Sequence, residues 1–137
     1  GALLALDLDH FKAVNDAGGH QAGDRMLRTL AITMAKELRG GDDLFRVGGD
    51  EFAAVLVGIS DAQQAFEVAE RVRGAAHRAG ASVSIGIATS LGEELDCDEL
   101  FRRADDALYR AKRNGRDSSV LWEPPLPSPL DGPLATR

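Results

Sequence analysis

Apolar residues fall into strand-like and helix-like groups along most of the chain. The run 2–6 is continuous, which is typical of a strand buried on both faces, and acids follow it directly. Runs 44–47 and 52–57 predict two strands joined by a tight Gly48-Gly49 turn, because glycine accepts positive φ without steric cost. Apolar residues alternate with small ones over 83–87, which predicts a fourth strand, and 120–122 fits a short final strand.

Helical spacing of apolar residues fills the intervals between these strands. Residues 11–17 predict a short helix that ends at Gly18-Gly19, and a longer helix is expected to carry a buried stripe from 27 to 38. Two more helices are predicted before and after the fourth strand. The residues expected to cap or open the helices are Asp9, Asp24, Ser60 with Gln63 at capping-box spacing, and Asp96 with Glu99.

The order of elements predicts the fold class. Strand, helix, helix, strand, strand, helix, strand, helix, strand combines crossovers with one hairpin, so we expect an α+β fold with a central, mostly antiparallel sheet flanked by helices. Residues 1–122 form one predicted domain. All 5 prolines lie between 124 and 133, so 123–137 is predicted to be an extended, flexible tail.

Composition restricts the functional classes. A chain of 137 residues, 44% of them hydrophobic, can bury the core of one domain. The net charge of −6 argues against a general nucleic-acid binder. A lone Cys97 allows no internal disulfide, and no apolar run approaches the ~20 residues of a membrane helix. We expect a cytoplasmic domain, either free or as the cytoplasmic part of a larger, membrane-bound protein.

Acids end the first strand and flank the predicted hairpin turn. Asp7 and Asp9 follow the first apolar run, and Asp50 with Glu51 follows the two glycines. Because neighbouring strands bring their ends together, these carboxylates could converge on Mg²⁺, which prefers oxygen ligands. The alternative is that they are ordinary solvated acids, and for Asp9 the two interpretations are equally favoured.

Other polar residues could assist such a site or have purely structural roles. Lys112 lies beside the buried stripe of the last helix and Arg116 follows its end, where cations are favoured by the helix dipole in any case. Asn15, His20 and Asp24 surround a glycine-rich turn and could read a base or ribose, or could simply cap helices. The segment 39–42 places a cation and an anion around two glycines, which a loop salt bridge would explain.

Taken together, these residues resemble one family. In order and spacing the chain is similar, from 2 to about 120, to the GGDEF domains, the diguanylate cyclases of bacteria. The matching segments are Asp7-Leu8-Asp9-His10-Phe11-Lys12, Asn15-Asp16, Gly19-His20, Gly23-Asp24, Gly48-Gly49-Asp50-Glu51-Phe52, Ser84-Ile85-Gly86, Ala104-Asp105, Ala107-Leu108-Tyr109, Ala111-Lys112 and Gly115-Arg116.

The resemblance implies a ferredoxin-like fold, similar to the nucleotidyl cyclases and the palm of polymerases. It also implies condensation of two GTP molecules into cyclic di-GMP and pyrophosphate across a homodimer, with two Mg²⁺ or Mn²⁺ ions per active site. Under it the metal ligands are Asp7, the Leu8 carbonyl, Asp50 and Glu51, and either Asp50 or Glu51 assists deprotonation of the 3′-hydroxyl. The substrate-binding residues are Asn15 and Asp24 at the guanine, His20 beside the nucleotide, and Lys112 and Arg116 at the β- and γ-phosphates.

The resemblance further implies regulation. Arg39 and Asp42 have the RxxD spacing of an inhibitory product site, with Arg71 as a secondary contributor from the neighbouring subunit. An upstream sensory domain is also implied. A helix and a DxLTGLxNR-like segment usually precede the first strand in this family and do not occur in these 137 residues, and the stretch 74–81 is short where many members have an extra strand. The alternative function is a catalytically inactive receptor for GTP or cyclic di-GMP.

Overall fold

A computed structural model describes residues 1–126 as a five-stranded sheet with helices on both faces. The spatial order of the strands is β2-β3-β1-β4-β5, and every neighbouring pair is antiparallel except β4 with β5. The strands are β1 (Ala2–Leu8), β2 (Asp43–Gly48), β3 (Glu51–Leu56), β4 (Val83–Thr89) and β5 (Ser119–Leu121). The helices are α1 (Phe11–Ala35), α2 (Ala62–Arg78) and α3 (Cys97–Arg113). The predicted α+β class, with a mostly antiparallel sheet flanked by helices, is confirmed.

β1 is the central strand and is buried along its whole length. Leu4 and Leu6 lie in the larger core with side chains of α1 and α2, whereas Leu3 and Ala5 lie in a smaller core with α3. Because successive side chains of a strand point to opposite faces, the continuous apolar run fills both layers at once. The strand therefore carries its terminal acids to a fixed point at its own C-terminal end, in the middle of the sheet.

Gly86 of β4 allows α3 to pack close to the sheet. A Cβ atom there would lie 2.1 Å from the Ala104 carbonyl oxygen and 2.2 Å from the Leu108 nitrogen, so the helix backbone rests directly on the strand. The small face predicted for this strand is thus a close-approach surface, as expected. Lys112 follows Leu108 by about one turn and is held over the end of β1.

The two helices predicted after β1 are one element with a break. Gly19 has φ 80° and ψ 175°, which interrupts the helical geometry of α1 where the sequence predicted a stop. The predicted caps were wrong: Asp24 lies inside the helix, and α1 begins after His10, which makes no side-chain capping bond. Asp9 is instead buried, and its carboxylate accepts hydrogen bonds from Ser82 and Ser84.

The other helices begin close to the predicted positions. The Ser60–Gln63 capping box was wrong by one residue, since Asp61 is the N-cap of α2 and accepts from the Gln64 amide at 2.8 Å. Asp96 caps α3 as predicted and accepts from the Glu99 amide at 2.8 Å.

The predicted tail falls mostly outside the described residues, which end at 126. Within 1–126, no helix combines the length and apolar character needed to cross a membrane.

Candidate active site

The β2–β3 hairpin docks its tip against the end of β1. The turn is Gly49-Asp50, one residue later than the predicted Gly48-Gly49 turn, and Gly49 takes the left-handed φ of 54°. The Leu8 amide donates to the Asp50 carbonyl at 3.2 Å, and Arg46 Nε donates to the Gly49 carbonyl at 2.8 Å. These two bonds fix the hairpin tip beside the strand end, so the predicted convergence holds for Asp7 and Asp50. It does not hold for Asp9, whose carboxylate is bonded to serines.

Asp7 is the buried acid of this group, with only 7% of its surface exposed. It lies opposite Glu51 in the β1–β3 register and contacts Asp50. Burial raises the pKa of Asp7 to about 6, and the neighbouring Asp50 carboxyl raises it while Lys112 lowers it. Lys112 therefore compensates the charge of the Asp7 carboxylate only in part, since burial and Asp50 oppose its ionisation.

Three cationic residues line the same cavity, and two of them come from the end of α3. Lys112 Nζ donates to Asp7 Oδ2, and Arg116 lies in the turn after α3. Both residues border a cavity of about 250 Å³ together with Asp7, Leu8 and Asp50. Acids and cations that border one cavity form a site suited to a polyanion that is accompanied by a metal ion.

The residues present fit a divalent cation. Among residues 1–126, no three His, Cys, Asp or Glu side chains form a ready metal-binding group. Asp7 Oδ1 is nevertheless buried without a hydrogen-bond partner from the described residues, and it is an acceptor that a cation would satisfy. Asp7, Asp50 and the Leu8 carbonyl would supply three oxygens, which suits Mg²⁺ because this ion keeps water and phosphate ligands.

Asn15 lies directly over Gly23, across the break in α1. A Cβ on Gly23 would come within 1.9 Å of Asn15 Oδ1, so only glycine leaves room for the amide. That oxygen is buried without a hydrogen-bond partner, and Asp24 is the next residue after Gly23 and is exposed. Asn15 and Gly23 are therefore in contact across the break, with Asp24 next in the chain, whereas His20 is an exposed residue nearby in sequence.

Asp9 is a functional candidate that the sequence left undecided. It is 7% exposed and accepts from Ser82 Oγ at 2.5 Å, Ser84 Oγ at 2.7 Å and the Asp117 amide at 3.0 Å. The interpretation of Asp9 as a solvated acid was therefore wrong. The signal in the sequence was the pair of serines at the start of β4, one just before the strand and one in it, which offer donors to a buried carboxylate.

Asp105 is an acid whose proximity to this site the sequence did not indicate. Burial raises the pKa of Asp105, and the charge of Glu51 raises it further, so α3 adds a carboxyl to the acidic side of the site. Its position on α3 follows from the docking of that helix on Gly86, which no local pattern specifies.

Arg39 and Asp42 form the loop ion pair that the sequence offered as one explanation. Arg39 Nε contacts Asp42 Oδ2 at 3.2 Å, and its Nη2 donates to the Val57 carbonyl at 2.6 Å. The Asp42 side chain is fully buried and also accepts from the amides of Arg39 and Val57, each at 2.9 Å. Arg71 lies apart from this pair, exposed on α2.

Asp42→Asn is expected to destabilise the fold by about 2 kcal/mol at pH 7, because it breaks hydrogen bonds that tie β2 to the end of β3. Burial acts to raise the pKa of Asp42, but the bonds from Val57 and Arg39 outweigh it and hold the pKa below the ordinary 3.8. This contribution is present above pH 3.8 and disappears as the pH falls through the lower folded-state pKa.

Urea unfolding of parent and variant across this pH range measures the difference. Asp43→Asn, at the exposed neighbouring residue, is the matched control. A free-energy gap that stays constant to low pH would contradict the assignment.

A family model described as "Diguanylate cyclase, GGDEF domain" matches residues 1–118. The chain is 37% identical over 130 residues to the probable diguanylate cyclase DgcT of Escherichia coli K12, covering 87% of this chain and 28% of that protein. It is 43% identical over 122 residues to the diguanylate cyclase DgcM of the same strain, covering 85% of this chain and 29% of that protein. The chain thus spans less than a third of the length of these curated relatives.

Solved structures agree with these sequence matches. The active GGEEF domain of a diguanylate cyclase from Vibrio cholerae superposes with a TM-score of 0.81 at 30% identity, covering 90% of this chain and 83% of that one. The GGDEF domain of DgcB from Caulobacter crescentus, in complex with c-di-GMP, gives 0.77 at 30% identity, with coverages of 88% and 76%.

Proposed function

Since the chain belongs to the GGDEF family of diguanylate cyclase domains, we propose that it condenses two GTP molecules into cyclic di-GMP and releases pyrophosphate. The observation that carries the proposal is the cavity at the end of β1, where Asp7 and Asp50 face Lys112 and Arg116. Phosphoryl-type transfer requires positioning and charge neutralisation more than covalent chemistry, and this site offers both.

The proposed roles follow from position and chemistry. Asp7, Asp50 and the Leu8 carbonyl would hold magnesium or manganese, with Glu51 completing a site for two ions. When bound, these ions would neutralise phosphate charge and favour ionisation of the attacking 3′-hydroxyl. Lys112 and Arg116 would orient the β- and γ-phosphates.

Guanine selection rests on the break in α1. Asn15 Oδ1 is a buried acceptor without a partner, and the exposed Asp24 carboxylate follows Gly23, so both could accept from guanine's N1 and N2 donors. Adenine presents an acceptor at N1 and no amino group at C2, so it would leave these oxygens unsatisfied. His20 would lie beside the nucleotide.

Each chain would supply half of the reaction. The hairpin tip and its cavity lie at the C-terminal end of β1, so one GTP can be held with its α-phosphate toward a GTP on a second copy. Attack of each 3′-hydroxyl on the other α-phosphate forms two phosphodiester bonds and expels two pyrophosphates. We therefore include a homodimer, and an upstream sensory domain that controls its formation, in the proposal. We place the reaction in the cytoplasm.

The test is incubation of the protein with GTP and Mg²⁺ at high protein concentration, followed by chromatographic detection of cyclic di-GMP. We expect product, with a rate that rises more than linearly with protein concentration. GTP binding without product, even in a chain fused to a dimerising coiled coil, would refute the cyclase proposal in favour of an inactive nucleotide receptor.

Arg39→Ala is expected to relieve product inhibition by about tenfold or more, since we propose that Arg39 and Asp42, with Arg71 of the partner subunit, bind cyclic di-GMP. The measurement is the cyclic di-GMP concentration that halves the initial rate. Arg28→Ala, at an exposed arginine of α1, is the control. Equal inhibition of parent and variant would reject the product site and leave the ion pair a purely structural role.

A further inference from the structure

The turn after α3 is a left-handed segment held in place by other elements. Gly115, Arg116 and Asp117 all have positive φ, at 106°, 65° and 46°. The Arg116 amide donates to the Ala111 carbonyl at 2.9 Å, the bond that closes a helix C-terminus beyond a left-handed glycine. Each non-glycine residue in this conformation costs about 1–2 kcal/mol, so the surrounding contacts must stabilise the turn.

Those contacts converge on Asp117. Its amide donates to Asp9 Oδ2 at 3.0 Å, which ties the turn to the end of β1. Arg73 Nη1 of α2 reaches Asp117 Oδ1 at 2.9 Å, and His77 Nε2 lies 3.1 Å from its Oδ2. Two separate elements therefore hold a residue that does not itself line the cavity.

We call the residues that hold Asp117, namely Asp9, Arg73 and His77, the brace. Two of them are fixed by further hydrogen bonds. Asp9 is held by the hydroxyls of Ser82, just before β4, and Ser84 of β4, and Arg73 also forms a two-pronged pair with Glu70 at 2.8 and 3.0 Å. Glu70 in turn accepts from Ser119 Oγ at 2.8 Å, at the start of β5. The chain is thus pinned on both sides of the turn, while Arg116 borders the cavity with Asp7 and Asp50.

We propose that Asp117, held by Asp9, Arg73 and His77, is a positioning residue that aims Arg116 at the terminal phosphates of a nucleoside triphosphate. This inference rests on the proposed function for the identity of the ligand. It adds that α2, which contributes no side chain to the cavity, governs phosphate binding through Arg73. Loosening the turn removes an oriented charge from the β- and γ-phosphates and leaves the base contacts intact.

The test uses isothermal titration calorimetry to measure the binding of two ligands to variants at two aspartates. The ligands are α,β-methylene GTP, which cannot release pyrophosphate, and GMP, which lacks the two terminal phosphates. Asp117→Gly removes the ion pairs while accepting positive φ, so a thermal midpoint close to the parent's is expected. The control is Asp106→Ala, which breaks an exposed pair with Arg102 at the same 2.9 Å.

We expect Asp117→Gly to weaken α,β-methylene GTP binding about tenfold and to leave GMP binding unchanged. Asp117→Asn, which tolerates the left-handed conformation and keeps an acceptor for Arg73, is expected to lose less. Asp106→Ala is expected to change neither affinity. In turnover, KM for GTP would rise more than kcat falls.

Equal weakening of both ligands, or no weakening of either, would overturn the proposal. Should Asp117→Gly fail to fold, Arg73→Gln removes the Arg73 ion pair from the α2 side and leaves the His77 contact, and the same comparison decides. A parent that binds α,β-methylene GTP but makes no cyclic di-GMP would refute the cyclase function alone, because the affinity comparison still tests the brace.

Discussion

Glu51→Gln is expected to slow cyclic di-GMP formation by at least about a thousandfold, with the fold unchanged. Glu51 lies opposite Asp7 in the register of β1 and β3, and it is exposed. Glutamine keeps the shape and removes the negative charge, so the proposed second cation loses a ligand. Because the residue is exposed, the thermal midpoint should shift by no more than a few degrees.

The measurement is the initial rate with saturating GTP and Mg²⁺, read beside a thermal melt. Glu67→Gln is the matched control, since Glu67 is an exposed glutamate on α2. Turnover equal to the parent's would refute the metal role of Glu51. A rate lost together with the melting transition would show a structural role.

Asp7→Asn is expected to abolish turnover and also the thermal stabilisation that Mg²⁺ or Mn²⁺ gives the parent. A ligand present at 100 times its dissociation constant stabilises a protein by about 2.7 kcal/mol, which a melting curve detects easily. Asp7 is the buried carboxylate of the proposed ligand set and its Oδ1 is unsatisfied, so we expect most of this stabilisation to pass through it.

The metal-free proteins provide an independent comparison. Burial raises the pKa of Asp7 from 3.8 to about 6, so the folded protein binds more protons than the unfolded chain between these values. Its ionisation therefore lowers stability as the pH rises through that window, and metal-free Asp7→Asn should be at least as stable as the parent at pH 7. Asp106→Asn, at an exposed aspartate, is the control. A variant that melts well below the metal-free parent, or that keeps the metal response, would contradict the assignment.

These expectations concern a domain that covers 28% and 29% of two curated relatives. What the domain itself contributes is a site whose acids and cations come from β1, the hairpin, α3 and the turn that follows α3.

Much of the fold could be predicted from the sequence because the relevant signals are local. The continuous run in β1 and the alternation in β4 reflect burial of side chains on the two sheet faces. The break in α1 was predicted from its glycines, as was the α3 cap from Asp96. Errors arose where several polar residues competed for one role: the hairpin turn and the α2 cap each shifted by one residue, and Asp9 and Asp24 did not cap helices.

Asp9 illustrates what local patterns leave open. As an acid after a strand it could be solvated, a helix cap or a ligand, and nothing within a few residues distinguishes these states. Its actual partners, Ser82, Ser84 and Asp117, lie 73 to 108 positions away in the chain. Only the pairing of β1 with β4 and the return of the chain after α3 bring them together.

By itself, the sequence determined the elements, the class of fold and the acids and cations available for chemistry, because residue type and spacing dictate burial and backbone geometry. The tertiary structure decided which of those charged residues line one cavity and which form hydrogen bonds or ion pairs elsewhere. Asp7 became a buried carboxylate with a raised pKa, Asp42 a buried tie between strands, and Asp117 a residue bonded to Asp9 and to α2. Desolvation and the juxtaposition of charges depend on contacts between distant segments, which no local pattern specifies.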